Sequence, residues 1–257
     1  MFKENDNMRP GPTPERVLAI CRLVNQGSYS SQELFKLSEL DPESKFEEEA
    51  IRRSIDAAEE LNLIAKTGDK YSINIPEKTL ASAVDFRKAI SPIIFANNKS
   101  TFFRLTEWYI ANSELTQGIN RFDDFAAIAA KNGVESINEN DVLGWRFWMR
   151  YLGYAYQYNK TLIPNMKVRL GDALDAVEPG TKMTAAQFVM WLKENLPETA
   201  LSCKNQELSL AVSNGLRTLH EEGRIELIST MDAAKTNLFK LVGVSLNDFS
   251  EIIVKEA

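Results

Sequence analysis

The sequence predicts a mainly α-helical α+β chain made of tandem winged helix-turn-helix units, because one pattern occurs three times. Residues 141–164 read DVLGWRFWMRYLGYAYQYNKTLIP. Trp145, Trp148, Met149 and Leu152 recur at i, i+3, i+4 and i+7, the spacing of one buried helical face. Gly153 supplies the left-handed residue that closes a helix. Two strand-like runs, 154–158 and 161–163, then flank a polar Asn159-Lys160 turn. The same order returns at 51–75, with Asn62 in the place of Gly153 and Gly68-Asp69 in the turn, and at 208–241, with Gly223 ending the helix. A helix followed by a two-stranded wing is the second half of a winged helix, and three copies make a tandem array.

In chain order, residues 1–12 are polar and proline-broken and read as a flexible tail. Thr13-Pro14 is a helix start, cap followed by proline, and Val17, Ile20, Cys21 and Val24 give that helix one apolar face. Ser30 and Glu33 form a capping box for a second helix through Leu34, Leu37 and Leu40. A third opens at Asp41-Pro42 and turns Ile51, Ile55, Ala58 and Leu61 inward, which completes a first winged unit over 13–76. Residues 77–100, carrying Val84, Phe86, Ile90, Ile93, Ile94 and Phe95, are too apolar for an exposed spacer and read as a packed helical linker, ended or kinked at Pro92. The second winged unit spans 101–170, an acidic linker 171–183, and the third unit 184–257. In the third, Thr184 and Gln187 cap the first helix, 196–203 holds a short second one, and 206–222 is the third helix. Its long wing has a loop at 231–237, and 244–257 forms an appendage.

The composition is that of an ordinary soluble globular protein, 44% hydrophobic and 26% charged. The apolar runs are too short for a transmembrane helix, and the first residues lack the apolar core of a signal peptide. With only two widely separated cysteines, Cys21 and Cys203, a reduced cytoplasmic setting is expected, without a disulfide or a metal site. The net charge of −6 is uneven: residues 1–80 carry −4, 81–170 carry +3 and 171–257 carry −5. An acidic chain neutralises phosphates poorly, so any DNA contact must be local or shared with a more basic partner.

Two surfaces carry residues suited to DNA. On the third helix of the last unit, Gln206, Ser209, Ser213, Asn214 and Arg217 are expected to face outward, opposite Leu208, Val212, Gly215, Leu216 and Leu219. Short hydrogen-bonding side chains with an arginine are what groove reading needs. The other surface combines Arg146 and Arg150, one turn apart, with Lys160, Lys167 and Arg169. Tyr154, Tyr156 and Tyr158 alternate there and share a face, able to stack unpaired bases or to pack a core or interface. The corresponding helix of the first unit opens with Glu47-Glu48-Glu49 ahead of Arg52 and Arg53, so protein docking suits it better than phosphate contact.

No catalytic constellation emerges. His220 lies near a helix end beside Glu221 and Glu222 and has no neighbouring nucleophile. Asp41, Glu43 and Lys45 form a nuclease-like scrap without the strand that would place them. No Gly-rich strand–loop–helix is present for a nucleotide, and no cofactor is expected.

Thr13-Pro14-x-Arg16, WRFWMRYLGY at 145–154 and LSLAVSNGLRTLHEEGRIEL at 208–227 give the chain a resemblance to the DpdG-like winged-helix proteins, encoded in bacterial anti-phage defence islands that act on modified DNA. It is also similar to the KITE-type accessory subunits of SMC complexes, acidic proteins that grip a kleisin chain, although those usually have two winged helices. Either resemblance implies a non-catalytic subunit of a larger assembly. The expected function is therefore a DNA-associated defence subunit with protein partners and no membrane association. The alternatives are a scaffold whose wings pair with a kleisin or a second copy, and a stand-alone transcription regulator.

Overall fold

The helix signals of the first seventy residues are realised in order in the computed structural model, which describes residues 1–4, 6–39 and 45–256 (for Lys45 and Phe46, the backbone alone). The Thr13 hydroxyl accepts the Arg16 amide at the head of α1 (Pro14–Gln26). After β1 (Tyr29–Ser30), Ser30 and Glu33 close their capping box on α2 (Ser31–Ser38). Then come α3 (Lys45–Glu60), β2 (Ile64–Thr67) and β3 (Lys70–Ile73). Asn62 takes the left-handed φ of 55° after α3, as its helix-ending place requires. The last strand, β3, lies in the middle of a three-stranded antiparallel sheet of order β1-β3-β2. Val17, Ile20, Cys21, Val24, Ile51, Ile55, Ala58 and Leu61 are all buried, as their periodicity predicts. Leu37 is instead 53% exposed. Leu40, Asp41 and Glu43 lie outside the described residues, as does the Lys45 side chain, and the nuclease-like scrap with them.

The linker region forms α4 (Ala83–Phe95), which runs through Pro92 rather than ending there. An interior proline costs about 3 kcal/mol. Burial of Ile94 and Phe95 beyond it, roughly 1.5–3 kcal/mol each, offsets that cost. Val84 and Ile93, expected to be packed, are exposed. Next come α5 (Thr101–Ala111), α6 (Phe122–Lys131) and α7 (Glu139–Leu152), followed by the hairpin β4 (Ala155–Tyr158) and β5 (Thr161–Pro164). Trp145, Trp148, Met149 and Leu152 are fully buried, and Gly153 closes α7 at φ 85°.

Residues 1–12 correct the expectation of a loose tail. Met1, Phe2 and Met8 are buried, and the Phe2 ring meets Phe102 and Trp148 edge-on at 5.0 and 4.9 Å. The Met8 amide donates to Asp141 at 2.8 Å, and the Trp148 indole donates to the Pro12 carbonyl at 2.8 Å. Gly144 leaves room for this crossing, because a methyl group there would collide with the backbone of Met8 and Arg9. Three apolar anchors scattered among polar residues show no period, so only their distant partners reveal the packing.

The rest of the chain is α8 (Lys167–Leu174), β6 (Lys182–Thr184), α9 (Ala185–Asn195), β7 (Cys203–Lys204), β8 (Glu207–Leu208), α10 (Leu210–Glu221), β9 (Ile225–Ile228), β10 (Thr236–Leu238), β11 (Asp248–Phe249) and β12 (Glu251–Val254). Thr184 and Gln187 close the expected capping box on α9. Two expectations are corrected. The supposed acidic linker begins inside α8, which supplies a helix ahead of β6. The strand paired with β9 is β12, from the supposed appendage, not the 236–241 segment. β12 lies between β6 and β9 and pairs antiparallel with both, giving the order β6-β12-β9. β10 instead pairs with β8 in parallel and with β11 antiparallel, in a second sheet of order β11-β10-β8-β7.

The result is an α+β protein: helices with small, mostly antiparallel sheets. It forms two compact units, one from Met1–Phe103 with Glu135–Tyr151, the other from Arg104–Val134 with Leu152–Ala257. These boundaries do not coincide with the partition at 77–100, 101–170 and 171–183 read from the sequence. Among the described residues no helix is long and apolar enough to cross a membrane.

Candidate nucleic-acid interface

The residues singled out for DNA contact separate into buried structural groups and exposed ones. Arg169 belongs to the first kind. The second unit buries it on α8, where its Nε donates to the Glu198 carboxylate at 3.0 Å and contacts the Tyr154 hydroxyl at 3.0 Å. Tyr154 donates to the same carboxylate oxygen at 2.5 Å. Burial, opposed in part by the Arg169 charge, holds the Tyr154 phenol well above its ordinary pKa. Tyr154 is therefore a core residue. Two glycines make room for the helix carrying Arg169: a side chain at Gly153 would strike Val168, and one at Gly215 would strike Leu170 and the Lys167 amide.

α10, the expected groove reader, is walled in, and before Glu221 none of its residues is exposed. Ser209, Ser213 and Arg217, expected to point outward, point inward. Ser213 donates to the Leu208 carbonyl at 3.1 Å and accepts the Phe239 amide at 2.8 Å. Arg217 donates to the carbonyls of Phe239 at 2.8 Å and Leu246 at 3.0 and 3.1 Å. Both residues thus hold the 229–249 segment against the helix. Asn214, half-buried, donates to the Pro164 carbonyl at 2.9 Å. The Ala211 amide, in the first turn, finds the Ser113 hydroxyl at 2.9 Å. Short polar side chains on a helix satisfy backbone groups of an overlying segment as readily as base edges, and no local signal separates the two uses.

Gln206 is exposed, but in the β7–β8 turn: Asn205 and Gln206 both have positive φ, 51° and 62°, as a two-residue hairpin turn needs. Lys167 is paired with Glu222. His220 accepts the Leu227 amide through Nδ1 at 3.3 Å, a structural bond to β9.

The β4–β5 hairpin of the second unit is exposed on one face. Its register pairs Tyr156 with Ile163 and Tyr158 with Thr161. Ala155, Leu162 and Pro164 face inward, while Tyr156, Tyr158 and Ile163 are 47%, 70% and 44% exposed. Asn159 turns the chain at φ 54° and Lys160 stands exposed beside it. Among the described residues none forms an ion pair with Lys160.

In the first unit, Arg150 is exposed and Arg146 half-buried, its guanidinium 4.9 Å from the Phe147 ring centre. Partial burial, followed by the charge of Arg150, holds the pKa of Arg146 below its ordinary value. On α3, Arg53 and Arg52 both reach Glu49, at 2.8 and 3.5 Å, and Arg9 reaches it at 3.3 Å. The arginines of that helix are thus balanced from within.

These features define a helical chain with small sheets, a core with a buried ion pair and aromatic side chains, and an exposed aromatic hairpin. The family model described as DpdG-like matches residues 7–233, and the chain belongs to that family. No curated protein and no solved structure matches it.

Proposed function

We propose that the protein is a non-catalytic, DNA-associated winged-helix subunit of a bacterial anti-phage defence assembly, and that it meets DNA through the β4–β5 hairpin rather than through α10. The winged-helix reading rests on a repeated plan. α1-β1-α2-α3-β2-β3 and, with the intervening β7–β8 and β10–β11 set aside, α8-β6-α9-α10-β9-β12 follow the same order, each with its last strand in the middle of a three-stranded sheet. The defence role rests on membership of the DpdG-like family. The observation that carries the choice of surface is the contrast in exposure: Tyr156, Tyr158 and Lys160 are open, whereas Ser209 is buried and Ser213 and Arg217 are bonded to their own chain. Arg146 and Arg150, one turn apart on α7, supply a separate phosphate contact on the first unit.

A second reading, a protein-binding scaffold of the KITE type, draws support from the first unit. Glu49 balances the arginines of α3, and an apolar recess of about 590 Å³ is lined by Leu18, Leu23, Leu37 and Ile51. Fluorescence anisotropy against labelled DNA at low and physiological salt separates the readings. The DNA reading expects affinity that falls steeply with salt, and a shallower slope for Lys160→Ala and for Arg146→Ala/Arg150→Ala. Absence of binding even at low salt would sink it and favour the scaffold.

A further inference from the structure

Building on that DNA reading, we propose that the outer face of the β4–β5 hairpin is a stacking platform for unpaired bases, so that the protein's DNA ligand is single-stranded. Side chains two residues apart on an antiparallel strand lie ~6.8 Å apart, which is twice the ~3.4 Å separation of stacked bases. Tyr156 and Tyr158 are so placed on β4. One base fits between the two rings, or each ring takes one base on its outer side. Ile163, directly across from Tyr156, extends the apolar floor. A duplex keeps its base faces inside its own stack and offers none to such rings, whereas a single strand offers every one.

Charge points to the same ligand. From Gly153 to Leu170 the sequence contains no carboxylate. Of its three cations Arg169 is consumed by Glu198 and Lys167 by Glu222, which leaves Lys160 at the hairpin turn to meet a phosphate. Tyrosine also suits the task better than an aliphatic residue, since the phenol ring combines a π face with a hydroxyl that tolerates water. Finally, α10 occupies the place of the duplex-reading helix in the winged-helix plan, and it is enclosed.

The test uses the full-length protein with labelled oligo-dT, a mixed-sequence duplex and the matching ribo-oligonucleotide. A strand carrying 2-aminopurine reports stacking through quenching of its fluorescence. Tighter binding of single-stranded DNA than of duplex is expected, with quenching on binding. Tyr156→Ala and Tyr158→Ala should each weaken single-strand affinity roughly ten- to hundredfold and abolish the quench. Tyr156→Phe and Tyr158→Phe should retain both. Because the two tyrosines are exposed, circular dichroism of the alanine variants should match the parent. Equal or tighter duplex binding, unaffected by the tyrosine variants, overturns the single-strand assignment while leaving the DNA reading intact. Tighter binding of the ribo-oligonucleotide overturns the choice of DNA. No binding of any strand overturns both readings. A self-association abolished by Tyr158→Ala would then give the platform to a second copy of the chain.

Discussion

α3 and α10 each lead into the strands of a three-stranded sheet, yet their surroundings differ. α3 keeps an open face, with Glu48, Arg52, Asp56 and Glu59 exposed, and its charges satisfy one another through Glu49. α10 has no such face: α8 covers one side through Gly215, and the 229–249 segment covers another through Ser213 and Arg217. A helix that leads into a small sheet can thus keep its other side open or bury it beneath a covering segment. Position ahead of a sheet is therefore no guide to which of the two helices faces a ligand.

The comparison breaks most sharply at the buried pair beneath α8. Glu198→Ala strips a buried guanidinium of its counter-charge and should cost about 3–5 kcal/mol, read by chemical denaturation. A cost under about 1 kcal/mol would show that the second unit does not depend on the pair. Alkali should then distinguish the units. Burial pushes the Cys21 thiol, in the first unit, up to about 12. A folded pKa above the unfolded one gives stability that is complete below the ordinary thiol value near 9 and is lost as pH rises toward 12, at up to about 1.4 kcal/mol per pH unit. In the second unit, burial raises the half-buried Cys203 thiol above its ordinary value of 9.0 and the phenols of Tyr109 and Tyr154 above theirs of 10.0, so its loss starts with Cys203 and is joined by the phenols above 10.0. Unfolding followed by segment-resolved hydrogen exchange across pH 8–12 checks these declines, and Cys21→Ala should flatten that of the first unit while leaving that of the second unchanged.

Arg217→Ala should release the covering segment at a cost of about 2–3 kcal/mol, seen as faster exchange at 236–249 with DNA affinity unchanged. A loss of affinity without a loss of protection would return α10 to the list of readers. Gly144→Ala should cost about 1–3 kcal/mol by forcing residues 1–12 away from α7, which proteolysis of the N-terminal segment would report. The smallest effect belongs to the open helix: Arg52→Ala and Arg53→Ala should each change stability by under about 0.5 kcal/mol, because exposed pairs contribute little. A larger change would mean that the face of α3 is less open than its exposure suggests.

Local signals were the legible part of this chain. Capping at Thr13, Ser30 and Thr184 and the apolar periods of α1, α3 and α7 each report a helix from adjacent residues alone, and the structure agrees at every one. The aromatic alternation in β4 was legible as well, except that Tyr154 turns inward because a carboxylate forty-four positions away accepts its hydroxyl. Long-range partnership was not legible. Residues 251–254 pair with β9 and β6 while 236–238 pair with β8 and β11, a sorting that depends on strands far apart in the sequence. The outward reading of Ser213 and Arg217 failed for the same reason, since their partners are main-chain groups of a segment with no motif of its own.

The placement of β12 also affects how the chain matures. In the first unit, β1 and β3 come together as Tyr29 meets Tyr71, over a short stretch of newly made chain. In the second, β6 and β9 do not pair with each other, and both wait for Glu251–Val254 to enter between them. Until those residues leave the ribosome, two strand edges stand open, and closing the sheet demands a long loop in the growing polypeptide. Open edges are where nascent chains capture one another or recruit chaperones. A premature stop a few codons before residue 251 would therefore remove a central strand rather than trim an end, and the released chain would carry both unpaired edges into the cell.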